Sequence, residues 1–530
     1  MSAPESPAGR WPSLRAHGPV LALAAAVLVV LAVNTRIVFS SLHNATFQTD
    51  AWEILNDGRT WRGFLAAEWR HIFDGRDRFR PTTHLMFVLY VRLFGVDAEG
   101  FARALWGLVQ GLLVAQGVYL TKLGFKVETA LLASVLLLFT PAYLGTTYAH
   151  QYNDLILAAV FMFAALNVCL RPARQPVWLV LALAIVGVGA HESGVLAGPL
   201  LVLSHLYVSG PRSWRAWGLR PDTLALLTFT TGYALLRFSG GAAVSSGLVG
   251  SSAIVHNYQW LLAQAVDWLL HPPRHPLALL DPPRQLAVVL LRRPQTLLAP
   301  LALLALWRGP AGWRAGRVAA FALAWLVVSY GPYALNPRYG SVTYACVSML
   351  LPAVALLFPS VEWASAPGRH PLLRTLGLLT LLAVVYPFGI HINLRFSDRL
   401  AGPLLRAIVA RAAAAPPRAP VAVWIVESQR VPNAWGRSPI DEELQMMPTR
   451  ESLAVRQMVP DRVVHVAVID AATAPTIRPR RDDLVLVAEG HNPRYRLWAF
   501  PQGGGAPTLL FGQRPAGAAP PSYPLGARAP

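Results

Sequence analysis

The chain has 530 residues, 54% of them hydrophobic and only 14% charged, and its 46 Lys and Arg give a formal net charge of +19. Soluble domains hold roughly 25% charged residues, so the composition excludes an ordinary water-soluble domain and puts most of the chain in lipid. In a membrane protein such a basic excess points to cytoplasmic loops and anionic headgroups, with no nucleic-acid partner.

A helix needs about 20 largely apolar residues to cross a bilayer. The run Pro19 to Val33 follows Arg10 and Arg15 and lacks a small-residue cleavage site, so it reads as a retained anchor. Spans are expected near 18–37, 101–121, 128–146, 153–170, 177–190, 193–208, 222–238, 286–307, 317–334, 339–358 and 373–391, about 11 transmembrane helices. Arg292 and Arg293 interrupt the eighth. The run 82–94 is short, contains Arg92 and has charges on both flanks, which suits a helix lying in the interface. Cys169 and Cys346 fall in apolar runs with no C-x-x-C spacing, which argues against a disulfide framework or a thiolate metal site.

Orientation follows from the short loops. With the N-terminal tail 1–17 in the cytoplasm, the inside loops hold Lys122, Lys126, Arg171, Arg174, Arg212, Arg215, Arg220, Arg308, Arg314, Arg317, Arg369 and Arg374. The short outside loops hold only Arg338, as the positive-inside rule requires. Counting 82–94 as a crossing would reverse every later loop. The loops 38–100 and 239–285 and the chain from 392 then lie outside. Within the second loop, the amphipathic stretch from His256 to His271 suits the membrane surface.

Beyond 392 the runs Val421–Val426, Val463–Ile469, Leu484–Ala488 and Tyr495–Phe500 are β-branched or aromatic and bounded by turn residues, which is how strands read. Leu404–Ala414 and Asp441–Met447 look helical. The expected architecture is a polytopic α-helical membrane protein, with its transmembrane domain over 18–391 and a small extracytoplasmic α/β domain over 392–505. A Pro- and Gly-rich tail, 506–530, need not fold.

Ionisable groups at membrane depth cost about 2.5–3.5 kcal/mol even on the mildest scale and tend to mark sites. Under this threading several gather at one level outside. Asp50 follows the first span in Gln48-Thr-Asp-Ala-Trp-Glu53, Asp154 opens the fourth span in His150-Gln-Tyr-Asn-Asp154, His191-Glu192 forms an outer hairpin, and Arg338-Tyr339 opens a late span. Arg80 and His84 lie on the loop that Asp50 begins. Each has a plain structural role: Asp50 can N-cap a helix from Ala51, Asp154 and Glu192 suit helix N-termini, and Arg338 can snorkel to phosphate headgroups.

Together these residues suit glycosyl transfer outside the membrane, where the sugar must arrive on a lipid phosphate. An acceptor hydroxyl loses its proton as it attacks the anomeric carbon, and a carboxylate in reach is a suitable general base. Asp50 is the first candidate, with Glu53, a turn further on, as the alternative, and Asp154 is counted with them among the catalytic residues. The phosphate leaves with growing charge, best met by a planar guanidinium. Arg338 would supply it, with Tyr339 as an auxiliary donor. Asp50, Asp154, His191 and Glu192 are also oxygen and nitrogen ligands able to gather a divalent metal.

At these residues the chain resembles the GT-C membrane glycosyltransferases, in particular the protein O-mannosyltransferases, including the tetratricopeptide-linked group, and more distantly the lipid A aminoarabinose transferases. The resemblance covers about 18–210 and 330–358. It rests on Asp50, on Arg78-Phe-Arg-Pro81 through Leu93-Phe-Gly95, on Gln151-Tyr-Asn-Asp154, on Ala190-His-Glu-Ser193 through Pro199, and on Pro337-Arg-Tyr-Gly340. It implies a polyprenyl-phosphate sugar donor, Asp50 as base, Arg338 as phosphate ligand, and inversion at the anomeric carbon. The acceptor, whether protein, lipid or glycan, is left open. His191 stands where the tetratricopeptide-linked group has Lys, and no tetratricopeptide repeats follow. Two rival readings remain, a transporter or flippase for a lipid-linked solute and a non-catalytic scaffold. A transporter would show inverted repeats and polar groups near the midplane; a scaffold would leave Asp50, Asp154 and Arg338 far apart.

Overall fold

The structure is a computed structural model. It describes residues 14–42, 55, 60–66, 80–140, 143, 153–239, 251–270, 294–308, 312–334, 345–366, 368–386, 401–416, 419–428, 440, 444, 452–459, 461–480, 482–490, 496–501, 505–512, 519–522 and 524–525. Two compact units emerge. The first comprises Met1–Thr35, Leu108–Thr146 and Leu155–His391; the second comprises Arg36–Gly107, Thr147–Asp154 and Ile392–Pro530. Three stretches expected outside the membrane, 38–100, 144–152 and the chain from 392, thus belong mainly to the second unit, whereas 239–285 belongs to the first.

Helices dominate up to residue 385: α1 (Leu14–Ser41), α2 (Pro81–Phe94), α3 (Ala98–Lys122), α4 (Val127–Leu138), α5 (Asn153–Cys169), α6 (Val177–Ala190), α7 (Ala197–Ser209), α8 (Pro221–Ser239), α9 (Ser251–Leu270), α10 (Leu298–Arg308), α11 (Gly312–Ala334), α12 (Leu350–Ala364) and α13 (Pro371–Val385). Among the described residues, three helical stretches are long and apolar enough to cross a membrane: His17–Ser40, Ala98–Lys122 and Cys346–Ala364. Shorter apolar helices flank them, and large side chains such as Leu28, Val114, Leu235, Leu303 and Leu323 stay exposed. Water would penalise so much bare apolar surface, so the chain is an integral membrane protein.

Several expected spans differ in extent. In the third, 128–146, one helix ends at Leu138, where Thr140 turns its hydroxyl back onto the Leu137 carbonyl, and 141–142 and 144–146 lie outside the described residues. The sixth, 193–208, begins with a 3-10 turn, Glu192–Leu196, before α7. Residues 286–293, 339–344 and 387–391 of the expected spans lie outside the described residues.

In the first unit α12 is central, packing on α4, α10, α11 and α13, while α6, α7 and α8 form a second layer joined through α7 to α11. Gly198 explains how α7 reaches α8: a Cβ there would stand 2.2 Å from Thr230 Oγ1. Tyr119, Phe163 and Trp325 fill the centre with ring centroids 5.3–6.2 Å apart, a spacing at which edge and offset contacts are favourable. The amphipathic helix of the loop 239–285 forms as α9 and packs against α11, where Tyr258 donates to the Val327 carbonyl at 2.9 Å.

Basic residues close one end of this unit. Lys122 donates to the Asn167 carbonyl near the end of α5, and Arg220 reaches the Arg171 and Ala173 carbonyls just beyond it. Arg317 reaches the Tyr207 carbonyl near the end of α7. Lys126 pairs with Glu362 near the end of α12 at 3.0 Å. Helix C-termini leave carbonyls unsatisfied and carry partial negative charge, so cations there act as caps.

In the second unit the C-terminal region forms a five-stranded sheet, ordered β2-β1-β3-β4-β5, from β1 (Val421–Glu427), β2 (Val464–Asp470), β3 (Leu484–Glu489), β4 (Arg496–Phe500) and β5 (Thr508–Phe511). β1 pairs in parallel with both β2 and β3, and β4 and β5 add antiparallel. The four expected runs supply the first four strands, and the expected helix over 404–414 forms as α14 (Ala401–Ala414). Of the stretch 441–447 only Leu444 is described. A further helix, α15 (Leu453–Met458), is capped by the Ser452 hydroxyl, which accepts from the Val455 N–H. The sheet does not stop at 505. Thr508-Leu-Leu-Phe511 alternates outward and inward after the Gly- and Pro-rich turn, and Leu525 joins the core around Val485, Val487 and Trp498. The stretch expected as a tail that need not fold therefore contributes an edge strand and a core side chain.

Candidate functional site

In the second unit, α2 and the start of α3 form a hairpin set by local chemistry. Pro81 takes the first position of α2, where its missing N–H costs nothing, and Gly95 ends the helix at φ +70°. Asp97 then caps α3, accepting from the Glu99 and Gly100 N–H groups at 3.0 and 3.1 Å. Phe101 holds the two helices together, its ring 5.0–6.4 Å from those of Phe87, Tyr90 and Phe94. Burial pushes the Tyr90 hydroxyl up to about 12, so it stays protonated and acts as a packing ring.

This hairpin places Arg80, the residue before α2, against Asp154, the second residue of α5. The guanidinium Nη1 donates to Asp154 Oδ2, with the side chains 14% and 4% exposed. Two motifs singled out separately in the sequence are thereby brought together. Burying an ion pair is costly unless it is well hydrogen-bonded, so a pair this buried marks a position that matters. His84 lies one turn beyond Arg80 on α2, half-buried, with its backbone N–H bonded to the Arg80 carbonyl at 3.1 Å.

In the first unit, His191 joins α6 to the 3-10 turn. It is buried, and its Nδ1 accepts from the Ser193 N–H at 3.0 Å, with the Ser193 hydroxyl also at 3.0 Å. An acceptor Nδ1 means that the neutral ring carries its hydrogen on Nε2, and Nε2 lies 3.5 Å from Glu192 Oε2. Ser193 is the residue that sequence reasoning missed; the His-x-Ser spacing at a helix end was the available signal. The turn is tight because Gly194 lacks a side chain: a Cβ there would lie 2.7 Å from the backbone of Gly187 and Val188.

Deeper in the same unit, Tyr143 donates to the Cys346 carbonyl at 2.6 Å and lies 2.9 Å from Gln116 Oε1, while Gln116 Nε2 donates to that carbonyl at 3.0 Å. This network ties α3 to the residues entering α12. Asp50, Glu53, His150, Arg338 and Tyr339 lie outside the described residues. Among the described residues no group of three or more His, Cys, Asp or Glu side chains gathers where a metal could bind.

No protein-family model and no curated protein matches the chain. It is similar to two solved structures of ArnT from Cupriavidus metallidurans. Against the apo state it shows 16% identity, covering 88% of this chain and 93% of that one, at a TM-score of 0.33. Against the form bound to undecaprenyl phosphate it shows 17% identity, covering 89% and 93%, at a TM-score of 0.32.

Proposed function

We propose that the chain is a GT-C-type membrane glycosyltransferase with about 11 crossings, moving a sugar from a polyprenyl-phosphate donor to an acceptor hydroxyl on the extracytoplasmic side. The observation that carries the reading is the largely buried Arg80–Asp154 pair, which joins two of the motifs on which the resemblance rests. An acidic residue after the first span, a charged-Pro helix and a second acid are the motifs of the resemblance. The pair supports treating the latter two as one construction.

In this reading the acceptor oxygen bonds to the anomeric carbon as the bond from that carbon to the phosphate oxygen breaks. The acceptor's proton passes to Asp50, or to Glu53 in its place, and the sugar-free polyprenyl phosphate leaves. Arg338 and Tyr339 neutralise the leaving phosphate. Asp154 is already engaged by a guanidinium, so its role is to fix Arg80 and the start of α2, with His84 one turn on. His191 presents an Nε2–H donor beside Glu192, and His150 belongs to the same outer level of the threading.

The test is mass spectrometry of products formed when purified protein meets a panel of polyprenyl-phosphate sugars with protein, lipid and glycan acceptors. A sugar-bearing acceptor that appears with the wild type and not with Asp50→Asn supports the reading. No transfer from any donor, with the protein folded and inserted, would overturn it.

A further inference from the structure

The basic end of the first unit holds two kinds of cation. Lys122 and Arg317 are committed to helix carbonyls, and Arg220 to the carbonyls of Arg171 and Ala173 just beyond α5. Arg174 and Arg212 on the connections after α5 and α7, and Arg314 in the first turn of α11, instead stand exposed, paired with no carboxylate among the described residues. Three indoles share the level. Trp178 in the first turn of α6, Trp307 at the end of α10 and Trp313 at the start of α11 are 70%, 79% and 74% exposed. Their shared position follows from contacts inside the unit. The Gln175 N–H, just before α6, donates to Asp222 at the start of α8, and α11 begins at Gly312, with three residues between it and α10, and reaches α7 through Arg317.

An indole bared to water wastes apolar area, whereas at the boundary of headgroup and acyl chain its ring is buried and its N–H stays wet. Arginines beside such rings meet lipid phosphates with paired hydrogen bonds. Beyond the ring of indoles, Leu303 and Leu323 lie exposed on α10 and α11, as acyl chains require. We propose that this end of the first unit is a docking surface for an anionic leaflet, with Trp178, Trp307 and Trp313 setting its depth and Arg174, Arg212 and Arg314 selecting anionic over zwitterionic phospholipid. The proposal does not rest on sugar transfer and stands or falls independently of it.

Native mass spectrometry of the full chain, titrated with phosphatidylglycerol or phosphatidylcholine at equal mole fraction, tests this. A basic residue near an anionic surface strengthens attraction roughly five-fold. Wild type should therefore retain phosphatidylglycerol in clear excess, and the combined variant Arg174→Gln, Arg212→Gln, Arg314→Gln should lose that excess while eluting as wild type does. The matching Arg→Lys variant should keep most of it. Equal retention of the two lipids by wild type, or undiminished preference in the Gln variant, would overturn the proposal. So would displacement of phosphatidylglycerol by inorganic phosphate at matched concentration, which would indicate a soluble-anion site.

Discussion

Arg80 and Asp154 stand 74 residues apart in sequence and meet as a buried ion pair between the start of α2 and the start of α5. Removing either residue takes this ion pair from a largely buried charge, a loss of up to about 3–5 kcal/mol. Arg80→Ala and Asp154→Asn should each lower the unfolding temperature sharply, and Arg80→Met combined with Asp154→Leu should cost less than the sum of the singles. A double-mutant cycle by thermal unfolding in detergent measures this, and additive losses would show that the pair is not coupled.

Asp50→Asn and Arg338→Ala should each abolish sugar transfer while leaving expression and insertion intact. Asp154→Asn should instead reduce activity and stability together, because its proposed role is to position Arg80. Product yield and unfolding temperature, measured side by side on the three variants, separate the roles. Full activity in Asp50→Asn passes the base to Glu53.

Gly198 allows α7 to lie against Thr230, and any side chain there collides with the Thr230 hydroxyl. Overpacking of this kind costs about 1–3 kcal/mol. Gly198→Ala should destabilise by that order, and adding Thr230→Ala should recover much of the loss, since the next atom met is Thr230 Cβ at 3.3 Å. Failure of the second substitution to rescue the first would mean that the backbones themselves hold the contact.

Two ion pairs at the basic end should behave differently. Asp222 is fully buried and accepts from Arg220 at 2.6 Å, from the Gln175 N–H at 3.1 Å and from the Thr223 N–H at 2.9 Å. Asp222→Ala should therefore cost about 3–5 kcal/mol. Glu362, paired with the half-exposed Lys126, should cost no more than about 1 kcal/mol when replaced by Gln. Comparing the two variants by chemical or thermal unfolding decides whether burial or mere charge pairing holds this end together.

Much of the secondary structure was legible because it rests on periodicity and caps. The charges around 82–94 mark a short helix, Pro81 and Gly95 bound it, and the alternating runs after 420 give the first four strands in place. What escaped depends on contacts with remote partners. Nothing local shows that Arg80 selects Asp154, or that Ser193 fixes the tautomer of the ring two residues before it. The fifth strand was missed because four residues amid Gly and Pro carry little pattern, and pairing with β4 decides their conformation. Of the candidate site, sequence reasoning named both members of the pair without knowing that they meet.

The capping role of Lys122, Arg220 and Arg317 has a consequence for engineering which way the chain threads. Orientation signals can often be rewritten by moving positive charge between loops. Here the same side chains hold carbonyls at or just beyond helix ends, so neutralising them to invert the protein would loosen the ends of α5 and α7 before any inversion was gained. In the proposed threading, direction of insertion and integrity of the bundle are written in one set of residues, and a charge swap cannot edit one without the other.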